Sequence, residues 1–213
     1  VVDEQRDAFL VVRHGANITP YSGRVPTTDA WKGAARMRLA GKRVIALVEE
    51  DYEDLELWYP VLRLQEEGAE VVVAGLGAEH YRGKHGLPAE PDKSVEELDM
   101  GDFDAILVVG GWAPDQLRRS EKVLELVRSA DADGKLLGVI CHGGWVPASA
   151  GVLKGRTMTC TPGIKDDVMN AGAEYVDRPV VVDGNLVTAR RPPDLPAYGQ
   201  ALVEALAGQD PAG

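Results

Sequence analysis

The most reactive side chain in this 213-residue sequence is Cys141, which follows the apolar run Leu136-Leu137-Gly138-Val139-Ile140 and precedes His142-Gly143-Gly144. A thiol at a strand-to-helix turn faces unpaired backbone N–H groups and the positive end of the helix dipole. Both favour thiolate, and such placements lower a cysteine pKa from about 8.5 to as little as roughly 3.5. On this ground Cys141 is expected to be largely ionised at neutral pH. The glycines after His142 permit a sharp turn and a close backbone approach to a substrate. The same turn aims the amide of His142 at a developing oxyanion, with Gly110-Gly111 supplying a second donor. The competing reading is that a lone cysteine is simply a small buried hydrophobe.

Other reactive types are weaker signals. Cys160, in Thr157-Met158-Thr159-Cys160-Thr161, reads as a buried structural cysteine rather than a resolving thiol. His85 lies between Gly83-Lys84 and Gly86 and reads as part of a turn. Phe9-Leu10-Val11-Val12-Arg13-His14-Gly15 looks like the start of a histidine phosphatase. That chemistry needs a second histidine and further arginines around one phosphate, so chance is the better explanation. Two cysteines make no disulfide scaffold and show no metal-type spacing.

Elements that would position these groups alternate from Gly41 onward. Val44–Val48 is a continuous apolar run, as expected of a strand buried on both faces. Leu55, Trp58, Val61, Leu62 and Gln65 recur at helical spacing, closed by Gly68. Strands follow at 69–74, 103–109 and 136–140, with helices at 120–132, 145–153, 163–171 and 195–206. Gly184-Asn185 joins strands 180–183 and 186–189 as a tight hairpin. Strands alternating with helices imply a mainly parallel sheet covered on both faces, with ligands at the strands' carboxyl ends. Those ends carry Glu49-Glu50, Gly110-Gly111 and Cys141. Residues 1–40 read as an N-terminal arm or flap, with a short strand at Phe9–Val12 and a turn-rich stretch from Asn17 to Thr28. Residues 41–213 form the α/β domain.

A formal net charge of -11 argues against nucleic acid and against anionic membranes as partners. No run has the apolar length needed to cross a bilayer. Val1-Val2-Asp3-Glu4 is not the basic start of a signal peptide, and a free thiol suits a reducing compartment. A cytoplasmic location is the expectation.

Residues 41–207 resemble the ThiJ/PfpI family of intracellular cysteine peptidases and deglycases, within the class I glutamine amidotransferase-like superfamily. The resemblance rests on Tyr52–Pro60, Gly83-Lys84-His85-Gly86, Gly110-Gly111 with Pro114-Asp115, Ile140–Gly143, and Pro162–Asp167 with Asn170–Ala173. It implies a flavodoxin-like three-layer α/β/α sandwich with Cys141 on a nucleophile elbow. The matching glutamate, Glu56, contacts the sulfur and shares a proton with it; Glu53, one helical turn earlier, is the competing candidate. Residues adjacent at a sharp turn point apart, yet in the peptidase branch the histidine matching His142 partners the cysteine. It is oriented there by an acid of a neighbouring subunit, matching Asp115. The implied assembly is a homodimer or hexamer, and the implied substrates are small 2-oxoaldehydes, their protein adducts, or peptides. No cofactor and no metal are implied. The alternative readings are a peptidase, and a redox sensor or stress-response chaperone without turnover.

Overall fold

The computed structural model describes residues 37–208, together with the backbone of residues 11–14 and 17–20. The chain divides into two units, Val1–Met37 and Arg38–Gly213. In the first, Val11–His14 pairs antiparallel with Asn17–Pro20. The described strand overlaps the expected one at Val11 and Val12 and continues to His14, while Phe9 and Leu10 fall outside the described residues. Asn17–Pro20, expected to turn, is its partner strand. Gly15, and residues 21–28 of the expected turn, also lie outside the described residues.

The second unit is built on one seven-stranded sheet. Its strands in chain order are β1 (Arg43–Leu47), β2 (Glu70–Gly75), β3 (Lys93–Ser94), β4 (Ala105–Val108), β5 (Leu136–Ile140), β6 (Val180–Asp183) and β7 (Leu186–Ala189). They lie in the order β6-β7-β5-β4-β1-β2-β3. All pairings are parallel except the β6–β7 hairpin, whose turn carries Gly184 at φ +57. Val44 to Leu47 and Leu136 to Ile140 are buried throughout, because central parallel strands have helices on both faces.

Helix α1 (Asp54–Glu66) packs against α6 (Leu195–Ala207) on one side of the sheet. A second group, α2 (Ala113–Leu117), α3 (Glu121–Ala132) and α4 (Trp145–Ala150), is held together by mutual contacts on β4 and β5. This is the expected three-layer sandwich. The expected helix from Trp145 to Leu153 stops at Ala150, because Gly151 turns left-handed at φ +79. The helix expected over 163–171 is a 3₁₀ turn, Pro162–Ile164, followed by α5 (Lys165–Asn170). Cys160 lies beyond a two-residue strand, Thr157–Met158, and is 1% exposed, in keeping with a structural role.

β1, β4 and β5 are neighbours at the centre of the sheet. Parallel pairing brings their carboxyl ends together, so residues 48–53, 109–112 and 141–144 meet above one edge. The packing beneath leaves no slack. A Cβ on Gly138 of β5 would lie 2.5 Å from Leu107 Cδ2, 2.8 Å from Leu202 Cδ2 and 2.9 Å from the Tyr198 hydroxyl. Gly138→Ala is therefore expected to force α6 off the sheet. It should cost about 1–3 kcal/mol, read as a lower urea midpoint at unchanged slope.

Candidate active site

Two of the converging loops are tied to each other by backbone bonds. Trp112 N–H donates to the Asp51 carbonyl at 2.9 Å, and Glu53 N–H to the Gly110 carbonyl at 3.2 Å. Tyr52 and Gly111 form an antiparallel bridge. Gly111, at φ +75, has no room for a side chain: a Cβ would lie 2.3 Å from the Asp51 carbonyl and 2.5 Å from Glu53 N. Glycine is required there both by conformation and by space.

Cys141 opens the third loop at the end of β5. It has φ +60, and among the described residues only Asp51 shares this left-handed region without being glycine. Holding such a residue there costs of order 1–3 kcal/mol and marks a position the surroundings over-determine. A 3₁₀ turn over Cys141–Gly144 leads into α4. Gly143 makes the turn possible, since a Cβ there would strike the Val108 carbonyl at 2.5 Å.

Four groups converge on the sulfur. The backbone N–H groups of His142 and Gly111 face it, each stabilising negative charge on it. His142 Nδ1 lies 3.4 Å from Sγ. Glu56 comes from α1, on the helix face that also buries Leu57, Pro60, Val61 and Leu64. It is 0% exposed, and its Oε2 accepts the Gly110 N–H at 2.8 Å. Gly110 is pressed between the two reactive groups: a Cβ there would lie 2.4 Å from Glu56 Oε2, 2.7 Å from Cys141 Cβ and 3.1 Å from Cys141 Sγ.

Burial governs the ionisation of this pair. It raises the Glu56 carboxyl to about 8, against the Gly110 N–H and the Cys141 thiol, which favour the charged form. Glu56 Oε1 is buried and has no hydrogen-bond partner among the described residues. An ionised carboxylate in that position would leave half its charge unsolvated, so Glu56 holds a proton at neutral pH. The thiol is also pushed up, to about 12, first by burial and then by the negative charge of Glu56 when that group is ionised. The helix-end argument for a low thiol pKa is thus outweighed by burial, an effect of the surrounding fold that no local pattern reveals. With the proton on Glu56 that repulsion is absent, and at neutral pH the pair rests as a carboxyl beside a thiol, with two amides positioned to stabilise charge as it develops on the sulfur.

The expected residues do not all meet here. Glu53 is 8% exposed but turns to Lys84 Nζ at 2.8 Å and His85 Nε2 at 3.3 Å, so Glu56 is the acid beside Cys141. Within one chain the Asp115 carboxylate pairs with Arg119, one turn along. His142, in contrast, does reach the sulfur despite its adjacency. Burial lowers its pKa, and the Lys84 charge lowers it further, leaving the imidazole neutral. Lys84 is the residue that sequence reasoning passed over. Its charge is favoured by Glu53, and Cys141 and Glu56 when ionised act on it too. Glu53, Asp54 and His85 bring ligand atoms within 4.8 Å of one another. Their oxygens already serve the loop, however: Asp54 accepts the N–H groups of His85 and Leu87, both at 2.8 Å. An aromatic wall completes the site, with Trp112 and Trp145 on the His142 ring at 5.5 and 5.2 Å between centroids.

A model of the DJ-1/PfpI family matches residues 42–205. A deglycase from Pyrococcus abyssi is 46% identical over 164 residues, covering 77% of this chain and 99% of the relative. A candidate cysteine protease from Bacillus subtilis is 38% identical over 166 residues, 78% of this chain and 98% of its own. Among solved structures, a two-domain protein of Anabaena variabilis with DJ-1/ThiJ/PfpI-like and ferritin-like domains superposes with a TM-score of 0.76. It is 39% identical, over 80% of this chain and 50% of that one.

The raised carboxyl pKa has a signed consequence for stability. Glu56 is protonated in both folded and unfolded states below about 4.5; between there and about 8 only the unfolded state releases the proton. Stability contributed by the neutral carboxyl is therefore full below pH 4.5 and declines as pH rises towards 8. Glu56→Gln should remove this slope. Urea denaturation is expected to show the variant gaining on the parent from pH 5 to 8, with a constant difference at lower pH; parallel curves throughout would contradict a protonated Glu56.

Proposed function

Because the chain belongs to the DJ-1/PfpI family, we propose that it is an enzyme whose Cys141 sulfur adds to the aldehyde carbon of 2-oxoaldehydes or of their protein adducts. The observation that carries this reading is the fully buried Glu56 carboxyl set against the Cys141 sulfur, with the Gly111 and His142 amides facing the same atom. A protonated carboxyl can donate to a thiolate, and the two amides can hold an oxyanion.

In this mechanism the Cys141 S–H proton passes to His142 Nδ1 as the carbon–sulfur bond forms. The carbonyl π pair moves onto oxygen, which takes the Gly111 and His142 N–H groups. His142 then returns the proton to that oxygen, leaving a neutral hemithioacetal. With a free 2-oxoaldehyde, net addition of one water gives a 2-hydroxy acid. The aldehyde carbon is oxidised and the ketone carbon reduced, so no outside oxidant is required. With a protein adduct, the sulfur displaces the amine from the hemiaminal carbon: the carbon–sulfur bond forms as the carbon–nitrogen bond breaks, and the amine leaves with the proton that His142 took from the thiol. The neutral His142 beside the sulfur also supports a second reading, peptide hydrolysis, because an amine leaving group needs such an acid. In one chain no carboxylate among the described residues orients His142, which favours the carbonyl substrates.

Self-association, as a dimer or hexamer, belongs to the same reading. Trp112 is 55% exposed beside Gly111, an unusual position for a large aromatic unless it is covered. A reducing, cytoplasmic setting would keep both cysteines free.

Assays with methylglyoxal, a glycated peptide and an unmodified peptide separate the readings. Turnover of the first two is expected, abolished in Cys141→Ser and reduced about 100-fold in kcat by His142→Gln, the range of a proton-transfer group. Cleavage of the unmodified peptide alone would replace this reading with the peptidase one. Turnover surviving in Cys141→Ser would remove both. Sedimentation is expected to show an oligomer, and a fully active monomer would exclude a site shared between subunits.

A further inference from the structure

A histidine that carries a proton for a neighbouring nucleophile is normally oriented by a third group bonded to its far nitrogen. Here no such bond exists among the described residues. The Nε2 edge of His142 faces Gly163, where an added Cβ would lie 3.7 Å away, and Asp115 is engaged with Arg119. The imidazole instead packs against two indoles that also touch each other. Trp112 lies 5.5 Å away at 36° and Trp145 5.2 Å away at 53°, with 6.5 Å between the indoles themselves. Tilted pairs at these separations are attractive and directional.

The two indoles are not equally anchored. Trp112 is 55% exposed, whereas Trp145 is half-buried and fixed on two sides. Its indole Nε1–H donates to Asp167 Oδ2 at 2.7 Å, from the first turn of α5. The Arg118 guanidinium covers its ring at 5.6 Å and is itself held by donation to Ser149 Oγ at 2.9 Å. Trp145 directly continues the Cys141–Gly144 turn, so its orientation is transmitted to the segment carrying both reactive groups.

We infer that Trp145, locked by its hydrogen bond to Asp167, is the positioning residue that keeps the His142 imidazole against the Cys141 sulfur. Within one chain, this packing between rings is what fixes the imidazole, with or without an acid supplied by a neighbouring subunit. Asp167 acts only as an acceptor for the indole N–H, and any acceptor of similar reach will serve. The consequence for turnover rests on His142 being the proton carrier proposed above; the positioning itself does not.

The test compares Asp167→Ala with Asp167→Asn in the full chain. Asp167 is exposed, so neither change threatens the fold. Ring currents from the two indoles displace the His142 imidazole proton resonances, and these are the primary readout. Asp167→Ala should move them towards the values of a free histidine, while Asp167→Asn, keeping an acceptor oxygen, should leave them near the parent's. Against methylglyoxal, Asp167→Ala should lower kcat about tenfold with little change in KM, equivalent to about 1.4 kcal/mol, and Asp167→Asn should restore most of it. Trp145→Phe, which keeps a ring but loses the N–H, should resemble Asp167→Ala. Unmoved resonances in Asp167→Ala, or identical behaviour of the Ala and Asn variants, would overturn the proposal. Were the parent inactive towards every substrate, the resonances would still decide the positioning, and only the proposed function would fail.

Discussion

The Glu56 carboxyl is enclosed completely and, among the described residues, receives a single backbone N–H, from Gly110 at 2.8 Å. Burying a carboxylate so sparsely solvated is costly, and the fold meets that cost by keeping the group protonated. Much of the site follows from this. A neutral acid can lie against a sulfur without repelling it, and it can donate where a carboxylate could only compete for protons. Gly110 has to be glycine because the acid and Cys141 both crowd the place its side chain would take. The left-handed Cys141 completes the fit, since the chain must turn at once after β5 to leave its sulfur near the same point.

The sheet supplies the frame within which that contact is possible. Three central strands end side by side, and each contributes one part: an acid at the head of α1 after β1, paired glycines after β4, and a thiol after β5. The loops after β1 and β4 are joined by main-chain bonds between Asp51, Glu53, Gly110 and Trp112 rather than by side chains. Main-chain bonding fixes positions more tightly than flexible side chains would, and so holds the amide of Gly111 on the sulfur, while the 3₁₀ turn after β5 places that of His142. Lys84 adds a positive charge from a loop beyond β2, where it is held by Glu53.

Much of this frame can be read from residues alone. Continuous apolar runs gave the central strands, and Gly184-Asn185 gave the hairpin, because both depend on local pattern. Cys141 and Gly110-Gly111 stand out for the same reason. The choice between Glu53 and Glu56 was less accessible, since both lie within one turn. It is decided by which side of α1 is covered, the side of Leu57, Pro60 and Leu64. Effects arising from distant chain segments were hidden. The helix-end position of Cys141 is local, whereas the burial opposing it is not. His142 reaches the sulfur through a 3₁₀ turn, where a simple bend would have sent it away. Trp145 meets Asp167 across 22 residues, and no periodicity links them.

The readings differ most in what they require of the acid. A catalytic thiolate needs a proton donor beside it, whereas a buried structural cysteine requires nothing of Glu56. Isotope-edited infrared spectroscopy of the Glu56 side chain, assigned with Glu56→Gln, measures that proton directly. At neutral pH the protonated carboxyl C=O stretch should be present, giving way to carboxylate bands as pH passes about 8. Carboxylate bands already dominant at pH 6 would contradict the account, for Glu56 would then have no proton to offer the sulfur.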